Sequence, residues 1–174
     1  MSPEVVIRAP DQPGDLGWVV MAHGEVYASE FGWDQSFETL VAGIVADYAT
    51  HHDTSREAAW IAEVDQRRAG CVFCVAEDER TAKLRILLVE PWARGHRLGA
   101  RLVDECVAFA RAAGYERVRL WTNSPLLAAA RVYRARGFRL AEEEPHHSFG
   151  AELIGQTYEL DLRDPERLRG VGPR

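Results

Sequence analysis

Apolar and polar residues follow two different periods in the first half of the chain. Apolar residues at helical spacing predict two helices, from Leu16 to about Ala28 and from Ser36 to about Tyr48. Three short apolar runs come next, Ala59 to Val64, Cys71 to Ala76 and Leu84 to Val89, joined by short polar connectors. Runs of this length between polar turns are typical of β-strands. We therefore expect two helices followed by an antiparallel meander.

Beyond Val89 the pattern alternates between helix and strand. Apolar residues from Leu98 to Ala113 recur every three or four positions and stop at a glycine, which predicts a helix. Alternation from Arg117 to Thr122 predicts a strand, and a capping residue with proline opens a helix from Leu126 to Ala135. Two final strands are expected from Phe138 to Glu144 and from Gln156 to Leu162.

The loop Arg94-Gly95-His96-Arg97-Leu98-Gly99-Ala100 joins the third apolar run to a helix. Unpaired N–H groups at a helix start attract anions, so the loop suits a phosphate or pyrophosphate. The alternative is an ordinary strand-to-helix turn that binds no ligand. A dinucleotide fingerprint needs three glycines, and a triphosphatase loop needs Gly-Lys-Ser/Thr, whereas Ala100 and Arg101 follow Gly99 here.

Length and charge narrow the class of protein. The chain has 174 residues, and we expect one domain over residues 1–163 with a charged tail over residues 164–174. A net charge of −6 argues against nucleic-acid binding, whereas residues 94–101 carry three arginines and a histidine. No apolar run approaches the ~18 residues of a membrane span, and the first residues do not form a signal peptide. We therefore expect a cytoplasmic protein without a membrane or nucleic-acid partner.

The cysteines and histidines do not predict a metal site. Cys71 and Cys74 lie three apart in one predicted strand, so their side chains should point to opposite faces. Core packing in a reducing compartment is the expected role. The pairs His51-His52 and His146-His147 have no supporting Asp or Cys spacing.

Three segments of the chain belong together: Val89-Glu90-Pro91-Trp92-Ala93-Arg94-Gly95, Leu98-Gly99-Ala100, and Ala129-Ala130-Arg131-Val132-Tyr133 with Gly137-Phe138 after it. In this combination they resemble the GNAT superfamily of acyl-CoA-dependent N-acyltransferases. With a short strand at Val5 to Arg8, the element order β-α-α-β-β-β-α-β-α-β-β is the one that the resemblance implies. The implied α/β fold has a mixed, mostly antiparallel sheet of about seven strands. About four helices flank the sheet, which splays between its fourth and fifth strands.

The resemblance implies acetyl-CoA as co-substrate, with its pantetheine arm in the splay. The expected contacts are Leu87, Leu88, Val89, Arg94, Gly95, His96, Arg97, Leu98, Gly99, Ala100, Asn123, Ala129 and Tyr133. One residue departs from the family pattern Arg/Gln-x-x-Gly-x-Gly/Ala, because Arg97 stands where the middle glycine is usual. A positive φ would strain Arg97. We favour the alternative, in which its N–H and guanidinium meet a phosphate, because the corner is already basic.

The resemblance also implies candidate catalytic residues. Tyr133 occupies the family position near the CoA sulfur, where a phenol can protonate the departing thiolate; its alternative role is packing. A base or a water relay must free the amine of its proton, and the candidates are Glu30, His146 and His147. In the family the early helices and the last two strands border the acceptor site.

The acceptor site is expected at Glu25, Tyr27, Glu30 and Trp33. The predicted reaction is acetyl transfer by direct attack of a primary amine belonging to a small molecule or peptide. The acidic stretch from Glu25 to Glu38 weakly favours a cationic amine. A non-catalytic acyl-CoA-binding sensor or regulatory module is the alternative, and the sequence leaves a homodimer open.

Overall fold

The computed structural model describes residues 1–163, so the predicted tail over residues 164–174 lies outside the described residues. A short 3₁₀ turn at Pro91–Ala93 precedes the third of four helices. The elements in chain order are β1 Val5–Arg8, α1 Asp15–Phe31, α2 Gln35–His51, β2 Ala58–Val64, β3 Arg67–Ala76, β4 Thr81–Val89, α3 Leu98–Ala112, β5 Arg117–Asn123, α4 Leu127–Ala135, β6 Arg139–Ser148 and β7 Ala151–Asp161. No helix in this described part is long and apolar enough to cross a membrane.

The seven strands form one sheet in the order β1-β2-β3-β4-β5-β7-β6. Every neighbouring pair is antiparallel except β4 and β5, which are parallel. The expected mixed, mostly antiparallel fold with about seven strands and four helices is confirmed.

The sheet opens between β4 and β5. The two strands pair only from Thr81 opposite Arg117 to Leu84 opposite Leu120, although both continue beyond that point. A bulge in β4 places both Ile86 and Leu87 between the pairs that flank Val72 of β3. Ile86 has φ 48°, a rare conformation for a β-branched residue. Since bulges bend the strand that carries them, this one accompanies the splay that the resemblance implies.

Each face of the sheet carries its own core. Helix α3 buries Leu98, Leu102 and Cys106 on one face, where they join Cys74 in one apolar cluster. Helices α1 and α2 cover the other face in a cluster that includes Cys71. The two strand cysteines therefore face opposite sides, as their spacing predicts. No grouping of metal-ligating side chains occurs among residues 1–163.

The last hairpin is longer than expected. The prediction that a strand ends at Glu144 is wrong, because β6 continues to Ser148 and pairs with β7 throughout. The turn is the pair Phe149-Gly150, with φ values of 58° and 77°, which matches a two-residue hairpin. Strand β6 is a largely exposed edge and needs no apolar alternation, so its extent depends on pairing with β7.

Candidate active site

The N-terminus of α3 presents a row of unused backbone donors. The first turn closes when the Arg101 N–H donates to the Arg97 carbonyl at 3.1 Å. Within the described chain, none of the six backbone N–H groups from Gly95 to Ala100 has a hydrogen-bond acceptor. Such groups at the positive end of a helix dipole form an anion site.

The backbone of Arg97 has a left-handed conformation, with φ 56° and ψ 29°. The favoured expectation, an unstrained Arg97, is therefore wrong about its backbone. The chain must reverse direction between the 3₁₀ turn and α3, and Gly95 at φ 96° makes the first left-handed step. Left-handed geometry costs an ordinary residue about 1 kcal/mol. The Arg97 side chain is exposed and forms no ion pair with any described residue.

Glu30, near the end of α1, forms an ion pair with Arg94 at the start of the loop. Both residues line the larger cleft described next, and neither lines the smaller cavity beside Tyr133. Glu25 is exposed and lines neither space. Of the two acidic residues expected at the acceptor site, Glu30 therefore lies beside the loop that precedes α3, and Glu25 lies in solvent.

A cleft of about 640 Å³ lies in the splay, with β4 and the α3 loop on one side and α4 on the other. Most of the residues expected to contact the co-substrate line it: Leu87, Leu88, Val89, Arg94, Gly95, Arg97, Leu98, Gly99, Ala100 and Ala129. A Cβ added at Gly99 would lie 3.7 Å from Val132 and 3.8 Å from Val89, between the two walls. His96 does not line the cleft, and Asn123 and Tyr133 line the neighbouring cavity instead.

A second cavity of about 170 Å³ adjoins the cleft and lies under α1 and α2. Tyr27, Leu87 and Ala129 are among the residues that line both spaces, so the two adjoin each other. The remaining lining is His23, Trp33, Phe37, Leu40, Ile44, Lys83, Leu84, Arg85, Ile86, Trp121, Thr122, Asn123, Leu126 and Tyr133. We call this space the acceptor cavity, because it adjoins the cleft and Tyr133 lines it.

Tyr133 is 4% exposed, and burial raises the pKa of its phenol well above the usual value. Its ring packs against Phe138 and Tyr158, with centroids 5.8 Å and 6.1 Å away. Its hydroxyl has no hydrogen-bond partner among the residues described. The phenol therefore keeps its proton and has that proton free to donate.

Aromatic rings close the acceptor cavity on the helix side. Tyr27 donates a hydrogen bond to the Leu87 carbonyl at 3.4 Å, and Trp33 packs on Tyr27 at 5.2 Å. Phe149, in the turn of the last hairpin, packs on Trp33 at 5.0 Å. Because the Asp34 N–H donates to the Phe149 carbonyl at 3.0 Å, this hairpin is fixed to the loop between α1 and α2.

His146 and His147 lie in β6, and their rings are not equivalent. His146 Nε2 lies 2.8 Å from Asn123 Oδ1, which can only accept, so Nε2 carries hydrogen. Its Nδ1 then accepts from the Ser148 hydroxyl at 2.8 Å. His147 is exposed and pairs with Glu152. His146 therefore reaches the cavity only through Asn123, and His147 does not reach it.

Two cations that the sequence reasoning missed, Lys83 and Arg85, line the acceptor cavity. They alternate along β4, so they share a face, and polar residues two apart in an apolar strand were the available signal. Burial lowers the pKa of each. Neither forms an ion pair within residues 1–163, and no carboxylate lines the cavity.

The similarity of this chain to known proteins includes the loop before α3 and Tyr133. A family model described as the acetyltransferase (GNAT) family matches residues 22–138, more than half of the chain. An uncharacterised N-acetyltransferase of Schizosaccharomyces pombe is 29% identical over 150 residues, which cover 82% of this chain and 88% of that protein.

Solved structures share the fold at low sequence identity. The yncA structure from Salmonella typhimurium, solved with its cofactor acetyl-CoA, has a TM-score of 0.75 and 17% identity, covering 92% of this chain and 95% of the other. An N-acetyltransferase from Staphylococcus aureus Mu50 has a TM-score of 0.72 and 18% identity, covering 92% and 99%.

Proposed function

The chain belongs to the GNAT family of acetyltransferases and is an acyltransferase, and from that premise we propose its reaction. It transfers an acetyl group from acetyl-CoA to the primary amine of a small molecule that also carries an anionic group. The observation that carries the proposal is the adjacency of two spaces: the cleft contains the unused N–H groups, and the cavity that adjoins it is lined by Tyr133.

Acetyl-CoA fits the cleft by charge and by hydrogen bonding. The pyrophosphate accepts from the N–H groups between Gly95 and Ala100, with Arg97 near enough in sequence to add a charge. The pantetheine amides pair with the β4 edge at Leu87, Leu88 and Val89, which β5 leaves open beyond Leu84. The acetyl thioester then lies where the cleft meets the acceptor cavity.

The chemistry is a direct acyl transfer. A neutral amine attacks the thioester carbonyl carbon, the C–N bond forms, and the C–S bond breaks. Tyr133 donates its proton to the departing sulfur, the nitrogen loses one proton to solvent, and the Tyr133 phenolate regains one proton from solvent, so the enzyme returns to its starting state. Neutral Tyr133 suits this role because burial keeps the phenol protonated.

The acceptor class follows from the cavity lining. Lys83 and Arg85 are half-buried cations that interact with Glu77 and Asp47 outside the cavity. Because no carboxylate lines the cavity itself, the two cations favour an anionic group there, such as a carboxylate or phosphate. A cationic amine, which the acidic N-terminal stretch weakly favoured, fits this lining poorly. The cavity volume of about 170 Å³ favours a small molecule over a peptide.

The proton of the amine leaves through water in this proposal. Glu30 is paired with Arg94, His146 is hydrogen-bonded at both nitrogens, and His147 lies on the surface. None of the three candidate bases therefore has a free lone pair directed into the acceptor cavity.

A CoA-release assay tests the proposal. The panel compares α-amino acids, simple alkylamines, short peptides and aminoglycosides with acetyl-CoA as donor. Turnover should be highest with amines that carry a carboxylate or phosphate, and Lys83→Met with Arg85→Met should abolish that preference. Equal or better turnover of alkylamines or aminoglycosides would overturn the acceptor assignment, and no turnover with any amine would overturn the reaction.

A further inference from the structure

One residue that lines the acceptor cavity has a buried ring nitrogen without a hydrogen-bond partner. His23, on α1, is 1% exposed and lines the cavity. Its Nδ1 lies 2.7 Å from the Val19 carbonyl oxygen. A carbonyl can only accept, so Nδ1 carries the ring hydrogen and the lone pair of the neutral ring is on Nε2. Nε2 is the one buried side-chain nitrogen or oxygen without a hydrogen-bond partner in the described part of the chain.

This lone pair is held in a fixed direction. The His23 ring stacks on Tyr27 at 5.8 Å with an interplanar angle of 6°, and Phe37 packs beside it at 6.2 Å. The nearby Ile86 carbonyl cannot donate, so it cannot satisfy Nε2. Folded proteins pair nearly all buried polar atoms, because an unpaired one destabilises the fold. An acceptor kept unpaired in a cavity therefore indicates a ligand.

The ring is neutral under ordinary conditions. Burial lowers the pKa of His23 to about 4, and the carbonyls of Val19 and Ile86 offset only part of that effect. A ring so weakly basic cannot remove a proton from an ammonium group, whose pKa is near ~10. It can accept a hydrogen bond at every pH at which the protein is expected to act.

We propose that His23 Nε2 accepts a hydrogen bond from the amino group of the bound acceptor and holds it as a neutral amine beside Tyr133. The inference rests on the proposed function, because it requires an amine in this cavity. One N–H bond directed at Nε2 leaves the nitrogen lone pair to face the thioester. Lys83 and Arg85 line the same cavity, and their positive charges disfavour an ammonium there.

The test compares His23→Leu with His23→Gln, using the α-amino acid that the wild-type protein acetylates fastest. Leucine removes the acceptor, and glutamine restores an oxygen acceptor on a flexible side chain. We expect kcat/KM to fall roughly tenfold to a hundredfold in His23→Leu and to recover at least partly in His23→Gln. The Kd for acetyl-CoA should stay unchanged, and the loss of activity should exceed what any change in Tm explains, because leucine removes the Nδ1 bond to Val19 but no Nε2 bond.

Each outcome separates this role from packing. A folded His23→Leu protein with wild-type kcat/KM overturns the inference, as does a loss of activity that only tracks a lower Tm. If His23→Leu does not fold, ¹⁵N-histidine spectra of the wild-type protein decide: the Nε2 resonance must shift when the amino acid binds. Wild-type protein that acetylates no amine overturns the proposed function itself, and this inference with it.

Discussion

Glu30 and Arg94 form an ion pair that joins the end of α1 to the start of the α3 loop. Glu30 partly neutralises the Arg94 guanidinium, which would otherwise be free to interact with a phosphate of acetyl-CoA. Glu30→Gln should therefore lower the Kd for acetyl-CoA a few-fold and leave kcat nearly unchanged. Calorimetry and steady-state kinetics measure the two effects. A general base would instead give a fall in kcat of about 10²-fold or more, with the Kd unaltered.

Gly99 lies between the two walls of the cleft, so a bulky acid there should exclude acetyl-CoA. Gly99→Glu should weaken acetyl-CoA binding at least a hundredfold, by blocking the space and by repelling the pyrophosphate. Gly43→Glu is the matched control, because Gly43 is exposed on α2 with nothing within 4 Å of an added Cβ. Undiminished affinity in a folded Gly99→Glu protein would show that the donor binds elsewhere.

Arg97 combines a strained backbone with an exposed cation. Arg97→Gly relieves the left-handed strain, worth about 1 kcal/mol, so its free energy of unfolding should not fall. Loss of the guanidinium should raise the Kd for acetyl-CoA several-fold at low salt, and high salt should shrink the difference. Arg101→Ala, one turn along α3, is the control. Tighter binding by Arg97→Gly would mean that the arginine only strains the loop.

The Tyr133 hydroxyl matters mainly in the transition state. Tyr133→Phe should lower kcat by about 10²- to 10⁴-fold and change KM far less. Single-turnover experiments measure the rate of the chemical step even if product release limits wild-type turnover. Tyr48→Phe is the control, because Tyr48 packs on Phe73 outside both spaces. A Tyr133→Phe protein with wild-type single-turnover rate would refute the proton-donor role.

The buried His23 also predicts how stability depends on pH. Its pKa in the folded protein, about 4, lies below the unfolded value of about 6.5, so the unfolded chain gains a proton first as pH falls. Stability should therefore drop by about 3 kcal/mol between pH 6.5 and pH 4 through this group. In urea melts, wild type should lose stability relative to His23→Leu as pH falls over that range, because the variant has no group at position 23 to protonate. Parallel curves would contradict a neutral His23.

Much of the proposed acetyl-CoA site can be predicted from the local sequence. The loop from Arg94 to Ala100 combines glycines, basic residues and a helix start, all of which are properties of neighbouring residues. The alternation before Val89 and the periodicity after Leu98 located the elements that hold this loop. Arg97 was predicted with the wrong backbone, because the direction in which the chain leaves the 3₁₀ turn is set by how α3 packs on the sheet.

The acceptor side required the tertiary structure. Glu30, His146 and His147 are predicted as candidate bases by residue type, and the structure pairs them with Arg94, Asn123 and Glu152. Those partners lie 64, 23 and 5 residues away along the chain, and the first two distances exceed any local pattern.

The sequence by itself determined the order of the elements, the loop proposed to bind the anion and the position of Tyr133, because each depends on spacing along a few turns of chain. Only the tertiary structure decided which side chains line the acceptor cavity. His23 is buried without a partner for Nε2 where α1 crosses the bulged end of β4. Lys83 and Arg85 line the same cavity as His23. Desolvation and pairing depend on every element packed nearby, so they have no signature in a linear pattern.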